Sequence, residues 1–156
     1  MPLCQLADLF TARGKPLLGL DAGSKTIGLA ISDPGWAVAS PLSTILRVKW
    51  RQDLAALERV IAERGVGGLV IGLPRNMDGS EGPRAQSVRA MGDNLAKAAA
   101  TGGLPITFWD ERLSTAAMER FLITEDVSRK RRDAVIDKMA AAYILQGALD
   151  ALRARA

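Results

Sequence analysis

The run Gly68-Leu69-Val70-Ile71-Gly72 is apolar without a break and is closed by Pro74. A strand that alternates apolar and polar residues can leave one face in water, but one that is apolar at every position must be covered on both faces. This chain therefore needs a sheet held between two helical layers. The flanking sequence supplies helices for them. Before the run, Leu54, Leu57 and Ile61 recur at helical spacing, with Gly65 as a stop. After it, a polar loop, residues 75–80, leads into a second helix expected over residues 83–100, ending before Gly102-Gly103. Residues 104–109 then read as another strand, which leads into Asp110-Glu111-Arg112.

Upstream, Leu17-Leu18-Gly19-Leu20-Asp21 and Thr26-Ile27-Gly28-Leu29-Ala30-Ile31 are strand-like runs joined by a short polar link, the pattern of a β-hairpin. Asp33-Pro34-Gly35 marks a turn, and residues 36–46 resume strand character. Pro41 lacks the N–H for a ladder bond, so this third strand belongs at a sheet edge. Downstream, Ser114 can cap a helix reaching about residue 122. Arg129-Lys130-Arg131-Arg132 reads as a basic linker, and Asp133 as the cap of a last helix with the stripe Ile136, Ala140, Tyr143, Ile144 and Gly147. A hairpin-connected meander followed by alternating helices and strands predicts an α/β fold. Its expected layout is RNase H-like, a mixed five-stranded sheet of order 3-2-1-4-5 with helices on both faces.

With 156 residues, 48% of them hydrophobic and 24% charged, the chain is the size and class of one globular domain. Residues 1–15 show no clear period and read as an extension before a single domain over 16–156. No run approaches the roughly 18 apolar residues of a membrane helix, and the N-terminus has no signal-sequence pattern, so a cytoplasmic protein is expected. Cys4 is the only cysteine, which rules out an internal disulfide or a zinc-cysteine cluster and suits a reducing compartment. Histidine is absent altogether, removing the commonest general base and transition-metal ligand. Any metal must then be held by oxygen, which suits Mg²⁺ or Mn²⁺. The 21 basic and 17 acidic residues give a net charge of +4, compatible with a polyanionic partner. Residues 129–132 form the densest basic cluster, and Arg75, Arg84 and Arg89 a looser one.

Three acids sit where chemistry could be done. Asp21 ends an apolar strand just before Gly23, where a carboxylate is poorly placed unless something binds it, although it could also be a turn former bonding its own backbone. Glu111 follows the fifth strand, on the carboxyl edge where open α/β sheets bind ligands, although Asp110, Glu111 and Arg112 could equally be a solvated salt-bridge cluster. Asp137 falls early in the last helix beside Ala140 and Ala141, although an acid near a helix start is also favourable to the dipole. Three elements converging on one edge are harder to dismiss than any one acid.

The blocks Leu18-Gly19-Leu20-Asp21-Ala22-Gly23-Ser24-Lys25-Thr26-Ile27-Gly28-Leu29, Gly72-Leu73-Pro74-Arg75-Asn76-Met77-Asp78-Gly79-Ser80, Trp109-Asp110-Glu111-Arg112-Leu113-Ser114 and Asp137-Lys138-Met139-Ala140-Ala141 occur in this order. Together they resemble the YqgF/RuvX family. The resemblance implies an RNase H-like fold related to RuvC-type Holliday junction resolvases and a bacterial cytosolic nuclease maturing the 5′ end of 16S ribosomal RNA precursor. Asp21, Glu111 and Asp137 match the family's acidic positions, expected to be both catalytic and metal-ligating with two ions. Lys25, Arg75, Asn76, Arg112 and Arg129, Lys130, Arg131 and Arg132 are then the expected phosphate contacts. Two departures stand out. Lys25-Thr26 replaces a pair in which many relatives carry a second basic residue. The fourth strand ends Gly72-Leu73-Pro74, where the wider resolvase pattern has an acid, so Glu111 must reach across two strand spacings, about 9–10 Å.

Competing readings are a junction resolvase, whose paired cuts favour a homodimer where end processing needs only a monomer, and a non-catalytic RNA- or DNA-binding factor. Asp21-Ala22-Gly23-Ser24 also looks like the first phosphate loop of actin-like and sugar kinases, but those close two such domains around a cleft and this chain has room for one.

Overall fold

The computed structural model describes residues 6–76, 78–98, 103–110 and 129–155, with side chains in the last stretch from Lys138 onward. Its strands are β1 (Leu17–Ala22), β2 (Thr26–Ser32), β3 (Ala39–Leu46), β4 (Gly68–Leu73) and β5 (Ile106–Asp110). Its helices are α1 (Trp50–Arg64), α2 (Pro83–Lys97) and α3 (Arg129–Arg155), preceded by a 3₁₀ turn over Leu6–Ala12. None of the described helices is long and apolar enough to cross a membrane.

The sheet order is β3-β2-β1-β4-β5, as the patterning predicts. β1 runs antiparallel to β2 and parallel to β4, and β4 parallel to β5. β3 lies at the edge, where Pro41 needs no ladder partner for its nitrogen. Leu42 is left out of the pairing, since Leu29 faces Ser43 while Ala30 faces Pro41, so the strand bulges beside the proline.

β4 is buried at every residue, as its unbroken apolar run requires. On one side Leu18, Leu20, Ile27, Leu29, Leu69, Ile71 and Leu73 meet Leu57 of α1 and Val88, Met91 and Leu95 of α2. Each such side chain contributes about 1.5–3 kcal/mol by leaving water. On the other side Leu17, Ala30 and Val70 meet Ala141, Leu145, Ala148, Leu149 and Leu152 of α3. There glycine lets the helix lie directly on the sheet. A Cβ on Gly19 would fall 2.8 Å from Leu145 Cβ and 3.0 Å from the Ala141 carbonyl oxygen, and one on Gly147 would fall 2.9 Å from Trp109 Nε1. The segment before β1 is tied to the same layer: Leu9 and Ala12 are buried there, and Trp36 Nε1 donates to the Lys15 carbonyl at 2.8 Å.

α1 stops at Gly65, which takes the left-handed conformation at φ 63°. α2 ends at Lys97, short of residue 100. The helix expected after Ser114 lies outside the described residues. The end of the chain differs from expectation. Arg129, Lys130, Arg131 and Arg132 are the opening of α3, not a linker, and Asp133 lies inside the helix rather than capping it. Repulsion between like charges a turn apart costs only about 0.2–0.5 kcal/mol per pair. Arg and Lys are good helix formers, and α3 is anchored by its buried stripe further on, so the helix extends through the charges.

Candidate active site

Leu17 and Gly19 face α3, so the strand's period of two puts Asp21 on that face, half-buried at the carboxyl end of β1. Its cross-strand neighbour on β2 is Gly28. On the other side Leu20 pairs with Ile71, which brings the next residue, Gly72, level with it. Asp21 is thus flanked on both adjoining strands by residues with no side chain.

At the end of β5 the same period sorts two neighbours to opposite faces. Trp109 packs on α3 against Gly147, while Phe108 and Asp110 turn toward α2. Asp110 Oδ2 lies 3.9 Å from Arg75, which is also 3.7 Å from Glu81. Glu81 in turn takes two 2.7 Å hydrogen bonds from Arg89, whose guanidinium sits 5.2 Å above the Phe108 ring. The hydrogen bonds from Arg89 hold the Glu81 carboxyl below its ordinary range, and the same contact raises Arg89. This network fastens the loop after β4 to the end of β5. It also shows that Asp110 does not share a face with Asp21. Glu111 and Arg112 lie outside the described residues.

Asp137 is in α3, about two turns after Arg129 and one turn before Ala141. The helix has no acidic residue in its first turn, so Asp137 is too deep for the dipole to account for it. The direction of α3 follows from its contacts. Gln146 accepts a 2.8 Å bond from the Ala39 amide, while Met139 shares a groove with Pro41. Going back along α3 therefore means going forward along β3, which runs parallel to β1. The Asp137 end of α3 lies toward the carboxyl edge of the sheet. Among the described residues no three acids cluster as a metal centre would require; the Glu111 and Asp137 side chains are not among them.

The expected phosphate contacts fare differently. Lys25 is exposed in the β1–β2 hairpin. Arg75 is engaged by the two carboxylates above, and the Asn76 amide donates to Ser80 Oγ at 2.9 Å within its own loop. Arg129 to Arg132 begin α3, with side chains outside the description. Sequence reasoning missed Glu81, whose partner is eight residues away across the start of a helix. It also missed Arg47, which braces the hairpin: its guanidinium donates to the Gly23 carbonyl at 2.7 Å and its amide to the Lys25 carbonyl at 2.9 Å. Buried Asp53 steadies Arg47 at 3.6 Å. No local spacing signals either arrangement.

Comparison with known proteins agrees with this architecture. A solved structure of Thermus thermophilus RuvC in complex with a Holliday junction substrate superposes with a TM-score of 0.57 at 18% identity, covering 91% of this chain and 98% of that one. This likeness is one of fold, the RNase H-like fold. A protein of Roseobacter denitrificans named "Putative pre-16S rRNA nuclease" is 60% identical over 89% of this chain and 85% of its own. One of the same name from Paramagnetospirillum magneticum is 56% identical over 96% of both chains. The family model described as "RuvX: Holliday junction resolvase" matches residues 15–151. By that match, and by relatives so similar along most of their length, this chain belongs to the RuvX family.

Proposed function

We propose that this chain is a divalent-metal-dependent nuclease that trims the 5′ end of 16S ribosomal RNA precursor in the cytoplasm, with Asp21, Glu111 and Asp137 as its catalytic carboxylates. The observation that carries the reading is Asp21 itself: a half-buried carboxylate at a strand's carboxyl end, flanked by Gly28 and Gly72, on the face covered by the helix bearing Asp137. An oxygen-only donor set fits Mg²⁺ or Mn²⁺. Asp21, Glu111 and Asp137 would hold the metal, two ions in our reading. When bound, the metal supplies an activated water and charge neutralisation at the leaving oxygen, so no histidine is needed.

The chain's own residues set the rest. Glu111 is preferred to Asp110 because Asp110 is turned to the other face and held by Arg75. The Arg75–Glu81–Arg89 network holds the loop after β4 in place beside the fifth strand. The basic opening of α3, two turns before Asp137, would grip backbone phosphates and position the substrate without reading its bases.

The precursor substrate is favoured by the names of the relatives, and for it a monomer suffices. The family's description favours a second reading, resolution of branched DNA by a homodimer. Purified protein should be given an RNA bearing the 5′ precursor extension and, separately, a four-way DNA junction, with and without Mg²⁺, alongside sedimentation. We expect Mg²⁺-dependent cleavage of the RNA by a monomer. Paired junction cuts by a dimer would replace the first reading with the second. Tight binding of both without cleavage would make the protein a binding factor.

A further inference from the structure

We propose that a hollow on the opposite face of the same sheet edge is a second phosphate subsite, holding one nucleotide unit of the substrate strand beside the one being cut. The proposal rests on the nucleic-acid reading above. The hollow has a volume of about 450 Å³ and lies between the β1–β2 hairpin and α2. Ala22 and Gly23, which directly follow Asp21, form its rim. Ala22 belongs to the α1/α2 layer, so the hollow and Asp21 are on opposite sides of one strand end.

Three cations, Lys25, Arg47 and Arg84, line it, and no carboxylate does among the described residues. Arg47 is committed to Asp53 and the hairpin carbonyl. Lys25 and Arg84 have no ion-pair partner among the described residues. This contrasts with Arg75 and Arg89, whose charges are met by Glu81. Arg84 also stands in the first turn of α2, which has no acidic residue and no side-chain cap, so the helix dipole adds to the positive potential there. The Ser24 and Ser87 hydroxyls offer further donors, and buried Val88 and Met91 give the hollow an apolar floor. Clustered cations with hydroxyl donors match the several acceptor oxygens of a phosphate. The floor and the volume suit the sugar and base attached to it better than a bare ion.

A strand with one phosphate at Asp21 and the next in this hollow must fold over the edge at Ala22–Gly23, and the bracing of that turn by Arg47 makes it a fixed fulcrum.

The test is binding of a ten-nucleotide single-stranded RNA, without divalent metal, over a range of salt. It is run with a 5′-hydroxyl and with a 5′-phosphate, so that an internal phosphodiester is distinguished from a terminal monophosphate. Lys25→Ala with Arg84→Ala should weaken binding about tenfold per cation and lower the salt slope by about 0.7, one phosphate on a single strand. Ser87→Glu, which places a carboxylate in the hollow, should do the same, whereas Arg59→Glu on the exposed side of α1 should not. Loss with both RNAs means an internal phosphate is held; loss confined to the 5′-phosphorylated RNA means a chain end is held. Wild-type affinity and slope in both pocket variants, or an equal loss in the Arg59 variant, would overturn the proposal. Because no cleavage is read, a protein that binds here but does not cut would refute the nuclease and leave the subsite standing.

Discussion

On the α3 side the sheet meets its helix through Gly19 and Gly147, with contacts that leave no room for a methyl group. On the α1/α2 side Leu18, Leu20 and Leu29 meet Leu57, Val88 and Leu95 through full-sized side chains, and the carboxyl end of that layer is finished with charges. The first interface sets the height of α3 above β1 and hence the spacing between the elements that carry Asp21 and Asp137. The second packs side chain against side chain and lies on the face away from Asp21. A site that must hold carboxylates at fixed separation is better served by the first, and a surface that takes hold of a flexible polyanion by the second.

The sharpest way to separate the two faces is Asp21→Asn. It removes a charge and almost no volume, so cleavage should fall by at least about a hundredfold, several kcal/mol of lost metal-assisted stabilisation, with thermal unfolding and RNA binding little changed. Cleavage at the wild-type rate by the purified variant would refute the acid site.

Next comes a pair of packing changes. Leu57→Ala, deep in the α1/α2 layer, should cost about 2–5 kcal/mol of stability and yet leave the turnover of the folded fraction near wild type. Gly19→Ala should cost less, about 1–3 kcal/mol, by overpacking against Leu145. It should nonetheless slow turnover by up to about a hundredfold, because it lifts the helix carrying Asp137. Denaturant unfolding and single-turnover cleavage on the same samples measure both. If the two variants lose turnover only in proportion to stability, the faces are not specialised as described.

Neutralising Arg131 and Arg132 together should reduce the salt slope of duplex binding by about 1.8, with all sequences weakened alike. Since they are in α3, helix content should hold or rise. A fall in helix content would show that the charges support the helix.

The smallest effect is expected at Glu81. Its carboxyl is held below the usual 4.5 by Arg89, so its contribution to stability is fully present above that value and is lost as pH falls through the lowered one. Glu81→Gln should be less stable than wild type at neutral pH, and the gap should narrow below pH 4.5 and then close. A gap that persisted in acid would mean the glutamate acts through its shape and not its charge.

The sheet was legible because its signals are local: an unbroken apolar run for β4, a three-residue hairpin link, and Pro41 at the edge strand. Asp21 was legible as a carboxylate ending such a run. The start of α3 was not, because four adjacent cations suggest repulsion, while what decides the matter is burial twenty residues further on at Leu149 and Leu152. That error also misjudged the depth of Asp137, which the structure moves from the first turn to the third. The facing of β5, with Trp109 against Gly147 and Asp110 turned toward Arg75, comes from packing across the sheet that no local pattern records. The partners of Glu81 and Arg47 depend on how loops fold back, and no periodicity records that.

α3 lies across all five strands, and its contacts reach back to Gly19, more than a hundred residues earlier in the chain. During synthesis the strands and α1 and α2 emerge first, with one face of the sheet uncovered and the helix that carries Asp137 still to come. Domains acquire their long-range contacts only when the last partner has been made. On our reading of the site, a nascent or truncated chain can hold RNA at the hairpin but has nothing with which to cut it. On that reading, a nuclease made beside ribosomal RNA would stay harmless until this last helix has been made.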